Sequence, residues 1–180
     1  MAFLENGLHR AAIALGSNLG DRFANVEYAL RLLEDVSLGG DQGHSQDIVT
    51  IVNTSFLYET EPMYVLDQPK FVNCACLVSQ TMIRKRYHRY NNEYYTQVET
   101  NMSPVPLLKL LKHIEATVGR VPSIRNGPRA VDLDIITYDD HIFDTRDEMA
   151  RENLDNLEGH LVIPHPRLQE REFVLRPLAE

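Results

Sequence analysis

The sequence predicts an α+β fold in which helices cover an antiparallel sheet. The length of 180 residues suits one domain, and 43% hydrophobic residues are enough to build one core. Apolar residues recur at the two-residue period of strands in some segments and at helical spacing in others. These segments mix without the strict strand–helix alternation of a parallel sheet, and this favours helices packed on an antiparallel sheet.

Four segments predict strands. Residues 11–15 are a short apolar run typical of a buried strand, and β-branched, aromatic or alternating apolar side chains indicate strands over 48–60, 71–78 and 129–138. Apolar stripes predict helices over 25–36 and 103–119. Pro104 and Pro106 suit the first turn of the second helix, and Gly119 suits its C-cap.

The remaining segments predict less regular structure. Polar or proline-rich loops are expected over 37–47 and 61–70. An acidic stretch over 144–158 is expected to be helical, and residues 160–180 are expected to close the chain as an extended segment.

Charge and composition exclude several classes of partner. The formal net charge of −8 disfavours nucleic acid and anionic membranes, because the field of the protein repels polyanions. The first ten residues lack an apolar signal-peptide core, and no apolar run approaches the roughly 18 residues of a membrane span. Cys74 and Cys76, the only cysteines, share one strand face and are expected to be core thiols. We therefore expect a protein of the cytosol or mitochondrial matrix that is not secreted.

Residues 82–97 interleave basic and aromatic side chains, a combination with two interpretations. Rings and cations together could form a platform for single-stranded nucleic acid. A solvated hairpin or loop insertion is the alternative, and the negative net charge of the chain favours it.

Two aspartates, Asp132 and Asp134, interrupt the apolar strand within the stretch GPRAVDLDII, residues 127–136. Side chains two residues apart share a face, so both carboxylates lie opposite the apolar side chains, with backbones about 6.7 Å apart. Two unpaired carboxylates this close repel each other, and divalent cations relieve the repulsion. The pair predicts a site for two Mg²⁺ ions, although a bare D-x-D also occurs where a strand merely faces water.

Arginines upstream of the acid pair strengthen this interpretation. Arg120, Arg125 and Arg129 lie in a loop punctuated by glycine and proline. Guanidinium groups beside metal-binding carboxylates match an oligophosphate, because metal and fork-shaped donors neutralise it together. Strict alternation would turn Arg129 to the apolar face, so we expect it on the bend before the regular strand, where Pro128 permits it.

Two further segments are candidates for phosphate binding. His165 lies between two prolines, so its ring could be a rigidly placed donor; a polyproline-type turn with an incidental histidine is the alternative. The stretch ALGSNLGD, residues 14–21, precedes a helix and could cradle an anion at the helix N-terminus. It lacks the lysine and spacing of a Walker loop, and a tight structural turn is the favoured interpretation.

As an ordered set, six segments resemble one family, the 6-hydroxymethyl-7,8-dihydropterin pyrophosphokinases of folate biosynthesis: ALGSNLGD, SFLYETEP, DQPKFVN, LLKLLKHIEATVGR, GPRAVDLDII and IPHPRLQEREFVLRPL. The resemblance implies a ferredoxin-like α+β fold for a single domain over 1–180. It also implies a Mg²⁺-dependent enzyme that transfers diphosphate from ATP to the hydroxymethyl group of the pterin and releases AMP.

The resemblance further implies roles for individual residues. Asp132 and Asp134 would each contact two Mg²⁺ ions, with Arg120 and Arg129 as the catalytic arginines. The residues implied to contact ATP are both arginines with Glu115, Ile135, His165 and Arg171. The pterin would lie between two rings with an amide at its edge, in a pocket formed by Thr60, Glu61, Met63, Phe71, Asn73, Asp132 and Phe173.

Some features depart from the family pattern. Pro122 stands where the family usually has a second loop arginine, and Asn126 stands where it has tryptophan. Residues 78–97 and 147–159 resemble insertions, and 1–10 resemble a linker, as expected for one module fused to neighbouring folate-pathway domains. The two substitutions keep open a rival function, a non-catalytic module that retains the pterin slot. A two-metal nucleotidyltransferase or phosphodiesterase is a weaker rival.

Overall fold

In the computed structural model of the chain, the described residues are 9–35, 37–38, 45–84, 86–90, 93–97, 104–154, 157 and 159–180. The elements follow one another as β1 (His9–Ser17), α1 (Arg22–Asp35), β2 (Ser37–Leu38), β3 (Ser45–Thr54), β4 (Tyr58–Thr60), β5 (Phe71–Arg84), β6 (Arg86–Tyr90), β7 (Glu93–Gln97), α2 (Pro104–Val118), β8 (Asp132–Tyr138), β9 (Phe143–Asp144), α3 (Glu148–Arg151), β10 (Val162–Ile163) and α4 (Glu172–Leu178). A 3₁₀ turn over Leu168–Glu170 precedes α4.

The central sheet is antiparallel, and its order brings distant parts of the chain together. Its strands run β2–β3–β5–β1–β8, and β4 pairs with the start of β5. The pairs β6–β7 and β9–β10 lie outside this sheet. An antiparallel sheet with helices packed against it is the predicted α+β class.

Helices α1 and α2 cover one face of the sheet. Alternate strand residues such as Ile13 and Leu133 pack there against Leu33 and Leu110. Burying an aliphatic side chain of this size contributes about 1.5–3 kcal/mol, so this face stabilises the fold strongly. Cys74 and Cys76 belong to the same cluster, as predicted, and burial raises the pKa of each thiol to about 12.

Helix α4 covers part of the opposite face, where Val174 packs with Ala12 and Ile136. Strand β8 carries one extra residue at this point, since Ala12 pairs with Thr137 while Ile13 pairs with Ile135. This β-bulge resets the alternation, so Tyr138 returns to the core face. The cavity described below opens beside α4.

The expectation of an extended C-terminal segment is wrong for residues 172–178, which form α4. Val174 and Pro177 are its buried residues, and their spacing of three places both on the side of the helix that faces the sheet. An extended segment would have placed Arg171 and Phe173 on one face of a strand, whereas Arg171 here precedes a helix that contains Phe173.

Several predicted boundaries also differ. The strand expected over 48–60 is two strands, β3 and β4, separated where the Ser55 hydroxyl accepts a hydrogen bond from Ala75 N. Within 144–158 only α3 is helical in the described part, capped by the Asp147 carboxylate. The loop expected over 37–47 contains β2 and the start of β3.

Further differences concern the ends of elements. Strand β5 continues to Arg84, and β8 begins only at Asp132, so Arg129 lies on the bend before it, as expected. Strand β1 begins at His9, inside the predicted linker 1–10. Residues 1–8, 36 and 103 lie outside the described residues.

The predicted hairpin at 82–97 is confirmed for the backbone, since β6 and β7 pair from Arg86–Gln97 to Tyr90–Glu93.

The helices that the structure describes include none with the length and apolar character that a bilayer crossing requires.

Candidate active site

A cavity of about 650 Å³ opens beside α4, on the sheet face opposite α1 and α2. Three strands meet beneath it, and their register places Asn73 of β5, Gly16 of β1 and Asp132 of β8 in one row. Neighbouring strands lie about 4.8 Å apart, so the backbones of Asn73 and Asp132 are about 9.6 Å apart across Gly16. A small molecule that contacts Asn73 can therefore reach the acid pair.

Glycine at position 16 keeps the middle of this row open. A Cβ atom there would lie 2.8 Å from the Asn73 side-chain oxygen and 3.8 Å from the Phe71 ring. Any other residue would displace Asn73. Because β1 runs to Ser17, the tight turn predicted within ALGSNLGD is confined to 18–21.

Asp132 is surrounded by cations. Arg120 and Arg129 each donate to a different oxygen of its carboxylate. Burial by itself would raise the pKa of Asp132, but the charges of Arg129, Arg120 and Lys112 hold that pKa below its ordinary value. Asp132 is therefore ionised and paired at neutral pH.

Asp134 lies on the same face of β8 but in a different environment. Its carboxylate accepts no hydrogen bond from any residue that the structure describes. Burial and the charge of Asp132 raise the pKa of Asp134 to about 6. The two neighbouring acids are thus shifted in opposite directions, because the arginines satisfy only one of them.

This pair fits Mg²⁺. A divalent cation beside Asp134 supplies the positive charge that its surroundings lack. Within the described residues no three histidine, cysteine or acidic side chains form a metal-binding group. Mg²⁺ commonly takes one or two carboxylates and completes its shell with water and phosphate oxygens, so a pair is sufficient when a phosphate is present.

We expect Asp134→Asn to stabilise the metal-free protein at neutral pH. The pKa of about 6 lies above the ordinary value near 4, so the folded state binds this proton more tightly than the unfolded state. Stability is therefore lost as pH rises through the window from about 4 to 6. At pH 7.5 in EDTA the variant should melt about 3–6 °C above wild type.

Thermal melts of both proteins between pH 4 and 8 measure this difference, which should disappear near pH 4. Asp132→Asn is the matched comparison, because it removes the partner of two arginines and should lower the melting temperature. An Asp134→Asn variant that melts below wild type at pH 7.5 would contradict the raised pKa.

Glu115 organises the cations from α2. Its buried carboxylate accepts hydrogen bonds from Leu133 N at 2.8 Å and Lys112 Nζ at 2.7 Å, and it pairs with Arg120 at 2.7 Å. Leu133 lies between the two acids in β8. Glu115 therefore ties α2 to the acid pair and orients Arg120, although it also borders the cavity.

Lys112 is a site residue that sequence reasoning missed. Its ammonium donates to Glu115 and, at 3.3 Å, to the Leu133 carbonyl. Burial would lower the pKa of Lys112, but the carboxylates of Asp134, Glu115 and Asp132 raise it above its ordinary value. Its position three residues before Glu115 on one helix was the available signal.

Asn18, also missed, holds the bend that carries Arg129. It is 1% exposed, and its side-chain oxygen accepts a hydrogen bond from Arg129 N at 2.8 Å. Its side-chain nitrogen donates to Gln68 at 3.0 Å, and Gln68 donates to the Asn126 carbonyl at 2.9 Å. The side-chain amides of Asn18 and Gln68 thus connect three loops, including the bend that carries Arg129.

The departure at position 126 has a local physical reason. Asn126 has a φ of 55°, in the left-handed region that asparagine adopts more readily than bulky residues do. Pro122 is exposed in the same loop and lines the cavity.

Two phenylalanines border the cavity, and each has an arginine beside its ring. The guanidinium carbon of Arg129 lies 5.8 Å from the Phe71 ring centre, and that of Arg171 lies 5.9 Å from the Phe173 ring centre. Asn73, 4% exposed, donates to the Thr60 hydroxyl at 2.8 Å. Rings and amide together suit a flat, polar heterocycle.

His165 is a neutral ring with a defined donor. Burial, and then the positive charge of Arg171, lower the pKa of His165 to about 4. Its Nδ1 accepts a hydrogen bond from Arg167 N at 3.0 Å, so the proton of the neutral ring lies on Nε2. The ring can therefore donate one hydrogen bond without carrying charge.

The structure brings all but one of the implied site residues to this cavity. They are Thr60, Glu61, Met63, Phe71, Asn73, Glu115, Arg120, Arg129, Asp132, Asp134, His165, Arg171 and Phe173. The Ile135 side chain instead packs in the core and is 5% exposed. Leu157, from the predicted insertion 147–159, also borders the cavity.

Comparison with known proteins points to one family. The family model described as 7,8-dihydro-6-hydroxymethylpterin-pyrophosphokinase matches residues 12–92 and 79–180. The chain is 36% identical to Folic acid synthesis protein fol1 of Schizosaccharomyces pombe, over 98% of this chain and 19% of that protein. It is 35% identical to 2-amino-4-hydroxy-6-hydroxymethyldihydropteridine pyrophosphokinase of Bacillus subtilis, over 94% of this chain and 76% of that protein.

Solved structures agree with the fold. A crystal structure of Plasmodium falciparum HPPK-DHPS matches with a TM-score of 0.57 at 17% identity, over 96% of this chain and 41% of that chain. This likeness confirms the expected ferredoxin-like α+β fold. The chain spans about a fifth of the length of the Schizosaccharomyces relative.

Proposed function

The chain belongs to the 7,8-dihydro-6-hydroxymethylpterin-pyrophosphokinase family, and from this membership we propose that it transfers diphosphate from ATP to the hydroxymethyl oxygen of 6-hydroxymethyl-7,8-dihydropterin. The observation that carries the proposal is a cavity in which an aromatic slot and a charged cluster lie side by side. The row from Asn73 through Gly16 to Asp132 separates the backbone of the slot from that of the acid pair by about 10 Å.

The aromatic slot suits the pterin. Phe71 and Phe173 supply two ring faces, and Asn73 offers both a donor and an acceptor to the edge of the heterocycle. Thr60, whose hydroxyl accepts a hydrogen bond from Asn73, is a second polar residue there, while Glu61 and Met63 line the same slot. A pterin held in this slot with its hydroxymethyl group directed along the row would present that group to Asp132.

The acid pair would hold magnesium, with Asp132 and Asp134 as the protein ligands of two ions. When bound, Mg²⁺ neutralises the charge of the triphosphate and of the phosphoryl group in transfer. Arg120 and Arg129 each donate a hydrogen bond to the Asp132 carboxylate in this structure. Phosphate oxygens of the nucleotide would compete with that carboxylate for both guanidinium groups.

The reaction itself needs positioning more than acid–base chemistry. The pterin hydroxymethyl oxygen attacks the β-phosphorus, the bond from the β-phosphorus to the bridging oxygen breaks, and AMP leaves with that oxygen while the hydroxyl proton passes to solvent. A primary alcohol is a poor nucleophile, so orientation and charge neutralisation carry the rate. Arg120, Arg129 and Arg171 supply positive charge, and His165 Nε2 supplies a neutral donor.

We expect the purified chain, incubated with ATP, Mg²⁺ and the reduced pterin alcohol, to form AMP and the pterin diphosphate in equal amounts. Chromatography of the nucleotides measures this directly. Reactions without pterin, or with EDTA, are the controls and should leave ATP intact. Stoichiometric ADP would contradict the proposal, and so would ATP cleavage that does not depend on pterin.

The whole protein is proposed to be longer than this domain. The chain matches 98% of its own length but 19% of the Schizosaccharomyces protein, whose name refers to folic acid synthesis. Fusion of this pyrophosphokinase module to neighbouring folate-pathway domains accounts for that difference in length.

A further inference from the structure

Arg171 is held differently from the other two arginines of the site. Arg120 and Arg129 pair with carboxylates. Across the described ranges, no carboxylate forms an ion pair with Arg171. Its guanidinium carbon instead lies 5.8 Å from the ring centre of Tyr64 and 5.9 Å from that of Phe173, and its Nε donates to the Tyr64 hydroxyl at 3.4 Å.

This arrangement keeps the charge of Arg171 available. An aromatic ring attracts a guanidinium group through its negative face but does not neutralise it, as a carboxylate would. With Nε directed to Tyr64, the two terminal nitrogens retain four N–H donors in a fork that matches two phosphate oxygens. Tyr64 thus fixes one edge of the guanidinium and leaves the other edge for a ligand.

The position of Tyr64 in the chain gives this contact a role in the cavity. Tyr64 lies in the loop after β4, directly after Met63, and it lines the cavity itself. Arg171 immediately precedes α4, two residues before Phe173. The contact therefore joins the loop of the aromatic slot to the helix that carries its second ring.

We propose that Tyr64 is a positioning residue for the transfer reaction, whose ring and hydroxyl direct the Arg171 guanidinium toward the phosphates of the nucleotide. The inference rests on the proposed function for its ligand. It assigns no contact between Tyr64 and the reacting atoms. Tyr64 is 39% exposed, so its replacement should leave the fold intact.

Calorimetric titration of the protein with magnesium and a non-hydrolysable ATP analogue tests the proposal. Tyr64→Leu should weaken nucleotide binding about five- to tenfold, and Tyr64→Phe, which keeps the ring, about threefold. In an Arg171→Ala background, Tyr64→Leu should cause no further loss, because the residue that it positions is gone. Tyr28→Leu, at an exposed tyrosine of α1 outside the cavity, is the matched control and should bind as wild type.

Losses that add up in the double variant would overturn the proposal, since they would show that Tyr64 acts independently of Arg171. Unchanged binding by Tyr64→Leu would overturn it as well. If Tyr64→Leu melts well below wild type, the test uses Tyr64→Phe instead. Nucleotide binding by Tyr64→Phe is then compared in the wild-type and Arg171→Ala backgrounds, and the threefold loss should appear only in the first. Non-additive effects of the Tyr64 and Arg171 substitutions on nucleotide binding, in a protein that forms no AMP, would contradict the proposed function but support the positioning of Arg171 by Tyr64. A wild-type protein that binds no nucleotide would contradict both.

Discussion

Asp132→Asn and Asp134→Asn are each expected to slow AMP formation at least about a thousandfold while the fold remains intact. The acids are the only pair of carboxylates that share a face of β8 among the described residues of that strand. If the pair holds Mg²⁺ as proposed, losing one carboxylate removes several kcal/mol of charge stabilisation in the transition state, and each 1.36 kcal/mol is a factor of ten in rate.

The measurements separate chemistry from binding. Single-turnover formation of AMP gives the rate, and titration with the pterin should show largely unchanged affinity, because Phe71, Phe173 and Asn73 are untouched. Asp140→Asn, at an exposed acid just after β8, is the control and should turn over as wild type. Turnover that survives in either site variant would remove the acid pair from the mechanism, and loss of folding would make the pair structural.

Glu115→Leu is expected to cost about 3 kcal/mol of unfolding free energy and most of the activity. The buried carboxylate satisfies Leu133 N and pairs with Lys112 and Arg120. Removing it leaves a buried N–H without an acceptor and two cations without their shared anion. Arg120 would also lose the contact that orients it beside Asp132.

Urea unfolding and initial rates measure the two effects separately. Glu115→Gln keeps an acceptor for Leu133 N but loses the charge, so it should recover much of the stability and less of the activity. Glu27→Leu is the surface comparison, because the Glu27–Arg31 pair is exposed and such pairs contribute about 0–1 kcal/mol. Equal losses from the Glu115 and Glu27 variants would contradict the organising role of Glu115.

The sequence predicted those parts of the site that follow from local periodicity. Two-residue alternation placed Asp132 and Asp134 opposite Leu133, and the structure has Leu133 in the core with both acids at the cavity. Strand alternation also required Arg129 to lie on a bend, and β8 begins after it. The same reasoning failed for residues 172–178, because alternation was assumed for a segment whose buried residues follow a helical spacing.

Residues that act through partners distant in the chain gave no local signal. Asn18 and Tyr64 are ordinary polar residues in the sequence, and only the packing of the loops and α4 brings them to Arg129 and Arg171. Tertiary packing also decides that Asp132, and not Asp134, pairs with arginines. Arg120 and Arg129 come from outside β8, and the packed structure brings both guanidinium groups to the Asp132 carboxylate.

What this sequence determined alone was which residues face which way along each strand or helix, because backbone geometry fixes that over a few residues. What the tertiary structure decided was which of those faces meet. Strand order places β1 between β5 and β8, so Gly16 leaves an open path from Asn73 to Asp132. Side-chain chemistry is local, but the distance between two groups from different strands depends on how the whole sheet is assembled.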